Sequence, residues 1–291
     1  MPITFSEEEE SIRNLFPIGT TFHYDKVSYE VIEVGKPFSE KGEPKTDIYI
    51  CAVSKNKNDK KKEFKISFKK SNADFLENKI SKERAQQLFG KNWSKIIKES
   101  IKKLESSFQS KTLIYKEKKG HTEKGSITLG WKFELVNKIS GILSDEITLV
   151  EDQVIDVYAG TNLEDEKKNA KVNGKLTDNS GIANFILIGE TGFNSAQEVI
   201  DKLISVEDYV KQNPKVYFAC KALNYRISKK KWDGDRPLAV YVDWDVSKTE
   251  EKLSYSLVFD KPLEKKGNEV AEKLVTALET LDITTIDNIG V

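Results

Sequence analysis

The chain has 291 residues, 38% of them hydrophobic, which excludes a disordered polypeptide and is enough to bury a large core as one domain or two. Its 47 Lys and Arg balance 47 Asp and Glu, so net charge selects no partner, yet residues 55–124 hold 21 basic against 9 acidic groups. That local +12 marks one region for an anionic partner. No apolar run reaches the ~18 residues of a membrane span. The acidic opening MPITFSEEEESI lacks the basic and apolar regions of a signal peptide, so a cytoplasmic protein with no membrane partner is expected.

Residues 6 to about 15 read as a short helix, with Ser6 and Glu9 placed as a capping box and Pro17 and Gly19 beyond its end. TTFHY, VSYEVIEV, KTDIYICAV and EFKISFKK follow as strands, rich in β-branched and aromatic residues, with residues 55–62 as a solvated hairpin loop. From 72 to about 108 the apolar period becomes helical, Gly90 dividing two helices, and Trp93 is assigned to the core. LIYKEK, SITLGWKFELV (with a second core tryptophan, Trp131) and EITLVEDQVIDVYAG read as strands, TNLEDEKKNAKVNGKLTDNSG as a polar loop, and IANFILIGE as a buried strand. NSAQEVIDKLISVEDYVKQ reads as one helix, capped by Ser195 and Glu198. KVYFACKALNYRI and RPLAVYVDW read as a long hairpin joined through SKKKWDGD, before a strand at EKLSYSLVF and a final helix at GNEVAEKLVTALETL. Cys51 and Cys220 lie in apolar runs, as buried thiols of a reducing compartment do.

One short region concentrates chemistry. In EFKISFK, Glu63, Lys65, Ser67 and Lys69 alternate with Phe64, Ile66 and Phe68, so Glu63 and Lys65 share one face over an apolar back. Asp47 opens the preceding strand, after a turn at Gly42, Glu43 and Pro44. A hairpin of the two strands is expected to bring Asp47 to Glu63 and Lys65. Two carboxylates suit Mg²⁺, with the Phe64 carbonyl as a further oxygen ligand. Lys65 would position or deprotonate a water attacking a phosphodiester and balance phosphate charge.

Pro44-Lys45-Thr46-Asp47 followed by Glu63-Phe64-Lys65 resembles the signature of the PD-(D/E)xK nucleases, and the PKTD form resembles some small type II restriction endonucleases. The resemblance covers roughly residues 1–110. It implies an α-β-β-β-α-β core with a mixed sheet, the catalytic set Asp47, Glu63 and Lys65, and a further glutamate from the first helix or strand, for which Glu10, Glu30 and Glu33 stand in suitable segments. Pro and Asp are separated here by two residues, a departure from the motif. The expected fold class is therefore α/β (α+β), a mixed central sheet flanked by helices. Residues 1–110 are assigned the catalytic core elements and 111–291 the remaining sheet, helices and recognition elements, in one compact unit with the core.

Other chemistries lack their residues. His23 and His121 are the only histidines, so no His-based metal site or Ser-His-Asp triad is available. No Cys/His spacing fits zinc and no GxxxxGK[ST] fits a phosphate loop, while GETG (189–192) reads as a turn. The expected partner is double-stranded DNA, bound by a monomer or homodimer. Lys55, Lys57, Lys60, Lys61, Lys62, Lys69, Lys70 and Lys79 are assigned phosphate contacts, with Asn72 and Asn78 beside them. Arg226, Lys229, Lys230, Lys231, Trp232 and Arg236, with Asn224 and Tyr225, form a basic aromatic hairpin suited to a groove. The resulting expectation is a Mg²⁺-dependent, sequence-specific DNA endonuclease of the type II restriction class. A structure-selective or repair nuclease, and a non-catalytic DNA-binding protein, stand as alternatives.

Overall fold

A computed structural model describes residues 5–55, 60–70, 75–78, 80–189, 192–247 and 249–290. It opens with helix α1 (Phe5–Arg13) and strands β1 (Thr21–Tyr24), β2 (Val27–Gly35), β3 (Ile48–Ser54) and β4 (Lys61–Lys70). Then come β5 (Phe75–Glu77), α2 (Lys82–Phe89), α3 (Trp93–Lys102), α4 (Glu105–Gln109), β6 (Ile114–Tyr115), β7 (Ser126–Val136) and β8 (Ser144–Ile147). The middle holds α5 (Glu151–Ala159), α6 (Asp165–Lys168), β9 (Lys171–Val172), β10 (Lys175–Leu176), β11 (Phe185–Gly189), α7 (Ala196–Asp201), β12 (Ile204–Ser205) and α8 (Val206–Gln212). The chain ends with β13 (Val216–Arg226), β14 (Lys231–Trp232), β15 (Val240–Val246), β16 (Leu253–Val258) and α9 (Gly267–Thr280). The class is mixed α and β, as expected. Among the described residues no helix is long and apolar enough to cross a membrane.

Two compact units divide the chain: Met1–Ala73 with Leu149–Pro214, and Asp74–Thr148 with Lys215–Val291. A break near residue 110 is not where the division falls. The second unit is formed by two segments, one between β4 and α5 and the other following α8.

The first unit is built on a six-stranded sheet in the order β1-β2-β3-β4-β11-β12. β1 to β4 form an antiparallel meander, β11 lies parallel to β4, and β12 closes antiparallel to β11. A parallel neighbour requires a crossover, and the segment from β4 to β11 contains residues 74–148 of the second unit and then α5. One face of the sheet is sealed by Ile48, Ile50, Phe64, Ile66, Phe185 and Leu187, which pack with Ile12 and Phe16 around α1 and with Val199 of α7. Burying a side chain of this size is worth ~1.5–3 kcal/mol. On the other face Tyr49 and Cys51 pack against Val172 of the β9–β10 hairpin.

The second unit holds an eight-stranded sheet whose main path is β14-β13-β7-β15-β16. Trp131, Phe133, Phe218 and Trp244 are buried in it, and Trp93 is nearly so, as expected of Trp93 and Trp131. Both cysteines are free and buried.

Strand β5 lies inside the run read as helical and the β9–β10 hairpin inside the run read as a polar loop; three further elements differ from the sequence reading, each for a local reason. The run 146–160, read as a strand, turns helical at Val150. Gln153 reaches back to accept from the Val150 N–H at 3.0 Å, Glu151 and Asp152 sit in the first turn, and Gly160 ends the helix at φ +78°. The helix expected over 194–212 is broken in two, because Ile204 pairs with Ile186 in the sheet and Ser205 starts α8 by accepting from the Asp208 N–H at 3.1 Å. β13 and β15 do not pair as a hairpin, since β7 lies between them.

Candidate active site

β3 and β4 pair as expected, but their register does not join Asp47 to Glu63. Cys51 stands opposite Glu63, Tyr49 opposite Lys65 and Ile48 opposite Ile66. Continuing the ladder by one place sets Asp47 level with Ser67. Glu63 is four residues of extended chain away, ~13 Å along the strand. Phe64, expected to lend its carbonyl, is opposite Ile50, three places from Asp47. Alternation in the sequence defines which residues share a face; it does not set the register, and the register decides which pair meets.

Glu63 and Lys65 are engaged elsewhere. The Tyr49 hydroxyl donates to Glu63 at 2.6 Å. Lys65 Nζ lies 3.8 Å from Glu63 and donates to the Asn179 carbonyl at 3.1 Å. Asn184 clamps the same stretch, accepting from the Lys65 N–H and donating to the Glu63 carbonyl at 2.7 and 2.9 Å. This is a paired set of groups that ties β4 to the segment before β11.

A different group of residues gathers at Asp47. Its backbone N–H donates to the Ile66 carbonyl, and its Oδ2 accepts from the Phe68 N–H at 2.8 Å. Thr46 and Lys45 both donate from the backbone to the Gly181 carbonyl, which fixes the approach to the strand. Burial pushes the Asp47 carboxyl up to about 6, against the pull of Lys69, with Glu9 raising it further and the Phe68 N–H and Lys36 opposing. Glu9 and its neighbour Glu8, both in α1, are each only 7% exposed. Lys36, just past β2, pairs with Glu9, and Lys70 pairs with Glu8 at 2.7 Å. The end of the sheet where β2 and β4 finish and β3 begins therefore collects three carboxylates and three lysines.

Two hydroxyls there are under-satisfied. Thr46 Oγ1 and Ser67 Oγ are buried, and among the described residues neither has a hydrogen-bond partner. Such groups ordinarily cost ~1–3 kcal/mol each when left unpaired. Both flank Asp47, one by sequence and one by register. Among the described residues, this end of the sheet included, no three His, Cys, Asp or Glu side chains are grouped so as to hold a metal by themselves.

Of the three glutamates the resemblance offered, none is among the charges acting on Asp47. Glu10 is exposed, Glu30 pairs with Lys55 at 2.7 Å, and Glu33 stands opposite Cys51. The glutamate that does act on it is Glu9, whose only reading from sequence was a helix cap.

The lysines assigned to DNA also sort differently. Lys61 pairs with Val53, six residues along β4 from Ser67, ~20 Å from the level of Asp47. Lys60 and Lys61 are exposed, whereas Lys62 lies over the Tyr24 ring at 4.8 Å. These three therefore do not lie beside Asp47; Lys69 and Lys70 do. Lys57, Asn72 and Lys79 lie outside the described residues. In the second unit Arg226 is held by Asp233 at 2.6 Å and by Glu123 at 3.7 Å, and Lys229 by Glu123 at 2.8 Å. Trp232 donates from Nε1 to Asp235 at 2.8 Å. Lys230, Lys231 and Arg236 are exposed.

Comparison of the chain with protein-family models, with curated proteins and with solved structures finds no match.

Proposed function

We propose that the first unit is the catalytic core of a Mg²⁺-dependent endonuclease that hydrolyses phosphodiester bonds of double-stranded DNA at chosen sequences, as a type II restriction enzyme does. The observation that carries this reading is Asp47: a carboxyl raised to about 6, with Glu9 and Lys69 acting on it, at the carboxyl end of a parallel strand pair. Open α/β sheets place ligands outside that end of their strands. The mixed sheet, an antiparallel meander after α1 with β11 parallel to β4, also supports the reading, because a mixed sheet is what the resemblance implies; the meander has a fourth strand, β1, and the helices after β4 that the sequence reading takes into the core fall in the second unit. The second unit would then serve sequence choice, with Lys230, Lys231 and Arg236 as its exposed basic groups.

The donor set fits a hard cation. Mg²⁺ binds through one or two carboxylates together with substrate phosphate and water, so no three-carboxylate cage is needed. Asp47 and Glu9 would hold it, and the unsatisfied Ser67 hydroxyl offers a further oxygen at the same level. When bound, Mg²⁺ supplies positive charge against phosphate oxygens and acidifies a water. Asp47 stays poised because its own site resists the negative charge until a cation compensates it. Lys69 takes the role first assigned to Lys65: its ammonium orients the attacking water and offsets phosphate charge. Lys36 and Lys70 hold Glu9 and Glu8 in place at the sheet end.

The test is digestion of a defined plasmid with and without Mg²⁺, followed by mapping of the ends. Metal-dependent fragments with constant ends support the proposal. Cleavage at junctions or lesions alone identifies a structure-selective enzyme, and retention of DNA without cleavage in any divalent metal identifies a binding protein; either result replaces the proposal.

A further inference from the structure

The segment after β2 is joined to the hairpin β9–β10 by a single antiparallel bridge. Phe38 and Lys171 exchange both backbone hydrogen bonds, each 2.9 Å, and Lys171 stands opposite Leu176 across the hairpin. Directly opposed residues share a face, so Phe38, Lys171 and Leu176 form one outward row. Phe38 is 60% exposed and Leu176 is 63% exposed. At the usual strand spacing the row spans ~10 Å with the lysine at its centre.

The hairpin is fixed to the sheet. Val172 is fully buried on its inner side, against Tyr49 and Cys51. Asn173 and Gly174 make a two-residue turn at φ +50° and +81°. The Asn173 amide donates to the Val34 carbonyl at 3.1 Å. Gly35 is required beneath it, because a Cβ there would meet Val172 at 2.8 Å and Asn173 at 2.9 Å. A large aromatic ring is thus held out to solvent on backbone tied to the hairpin by two hydrogen bonds. Phe38 lies two residues beyond Lys36, whose ammonium pairs with Glu9 at the candidate site.

We infer that this row contacts the nucleic acid beside the cut phosphodiester, Phe38 stacking on an unstacked base and Lys171 meeting the adjoining phosphate; the inference rests on the nuclease reading above. The chemistry of the row favours this occupant. Residues 36–45 and 170–176 hold five lysines against two glutamates. An apolar protein partner would have to bury Lys171, whose ion pair with Glu40 is a loose one at 3.6 Å. Every base offers a face to an aromatic ring whatever its identity, and apolar side chains beside lysine are what open a base step. Leu176 then walls the far side of the opened step.

The test uses duplexes carrying the mapped cleavage site, with 2-aminopurine placed in turn at each base around the cut, bound in Ca²⁺ to prevent hydrolysis. The wild-type protein is expected to change the emission of one position. Phe38→Ala should abolish that change and weaken binding about tenfold, while Phe38→Trp should keep both. Lys171→Ala should weaken cognate and scrambled duplexes alike and flatten the salt dependence by about one unit. If the wild-type protein cuts DNA and Phe38→Ala binds with the same affinity and the same 2-aminopurine signal, the inference is overturned and the nuclease reading stands. If the wild-type protein neither binds nor cuts DNA, both fall.

Discussion

Replacing Asp47 by asparagine should stabilise the metal-free first unit, and the gain should depend on pH. The carboxyl is raised from the ordinary 3.8 to about 6, chiefly by burial. One pKa unit corresponds to ~1.4 kcal/mol, so the ionised group costs the native state about 3 kcal/mol. The direction follows from linkage. Below about pH 4 the group is protonated in both native and unfolded chains and costs nothing. Between about pH 4 and 6 the unfolded chain ionises first, and wild-type stability falls relative to the variant; above about pH 6 the full difference persists. Asparagine keeps an oxygen able to accept from the Phe68 N–H but carries no charge. Urea unfolding with EDTA present, at pH 4 and pH 8, measures the effect. With a slope of ~1–3 kcal/mol per molar urea, the Asp47→Asn midpoint at pH 8 should rise by about 1 M or more and converge on the wild-type value near pH 4. Far-UV circular dichroism is the suitable probe, because Trp93, Trp131, Trp232 and Trp244, the four tryptophans of the chain, all fall in the other unit. Adding Mg²⁺ should then stabilise the wild type and leave the variant unchanged. A variant that is less stable at pH 8, or whose difference does not move with pH, would refute the reasoning.

Other predictions concern single contacts. Neutralising Lys60, Lys61 and Lys62 together should alter the cleavage rate at saturating DNA by less than about threefold, because they lie ~20 Å along the strand from Asp47; a loss of two orders in single-turnover cleavage would put them at the site. Gly160→Val should destabilise by more than about 2 kcal/mol in urea unfolding, since the residue sits at φ +78° and a Cβ would meet Leu163 at 2.6 Å and Lys45 at 2.7 Å. A double-mutant cycle of Arg226→Ala and Asp233→Ala should give a coupling of ~0.2–1 kcal/mol, the scale of a partly exposed pair; zero coupling would show the pair does not form in solution. Cys51 and Cys220 should resist a thiol reagent at pH 8 until denaturant is added, because burial raises both thiols and disfavours the reactive thiolate.

How much of this was legible in the sequence depends on what fixed each element. The strands β3 and β4 stand out because Ile48 and Ile50, and Phe64, Ile66 and Phe68, are buried on one face with polar or small residues between. Their register could not be read, since the polar loop between them satisfies more than one pairing, and each two-residue slip puts a new charged residue opposite Asp47. Helix α5 was missed because Val154, Ile155, Val157 and Tyr158 carry strand propensity; the cap at Gln153 and the glycine end at Gly160 overrode it. The pairing of β7 between β13 and β15 joins segments roughly 80 to 110 residues apart, which no local pattern encodes. Glu9 was hidden for a related reason. In a run of four glutamates every member suits a helix start, and only the packing of α1 on the sheet selects the one that acts on Asp47.

The most direct test of the account is a comparison of cleavage by paired variants at the two places along β4. Single-turnover rates with Mg²⁺ are measured for Lys69→Met against Lys65→Met, and for Glu9→Gln against Glu63→Gln, with binding in Ca²⁺ as the control for folding. The register predicts a loss of at least ~10²-fold for the Lys69 and Glu9 variants, the scale expected for a positioned acid–base or charge-bearing group. It predicts rates within severalfold of wild type for the Lys65 and Glu63 variants. The reverse pattern, with Lys65 and Glu63 essential and Lys69 and Glu9 dispensable, would contradict the assignment of the site to the Asp47 end of the sheet.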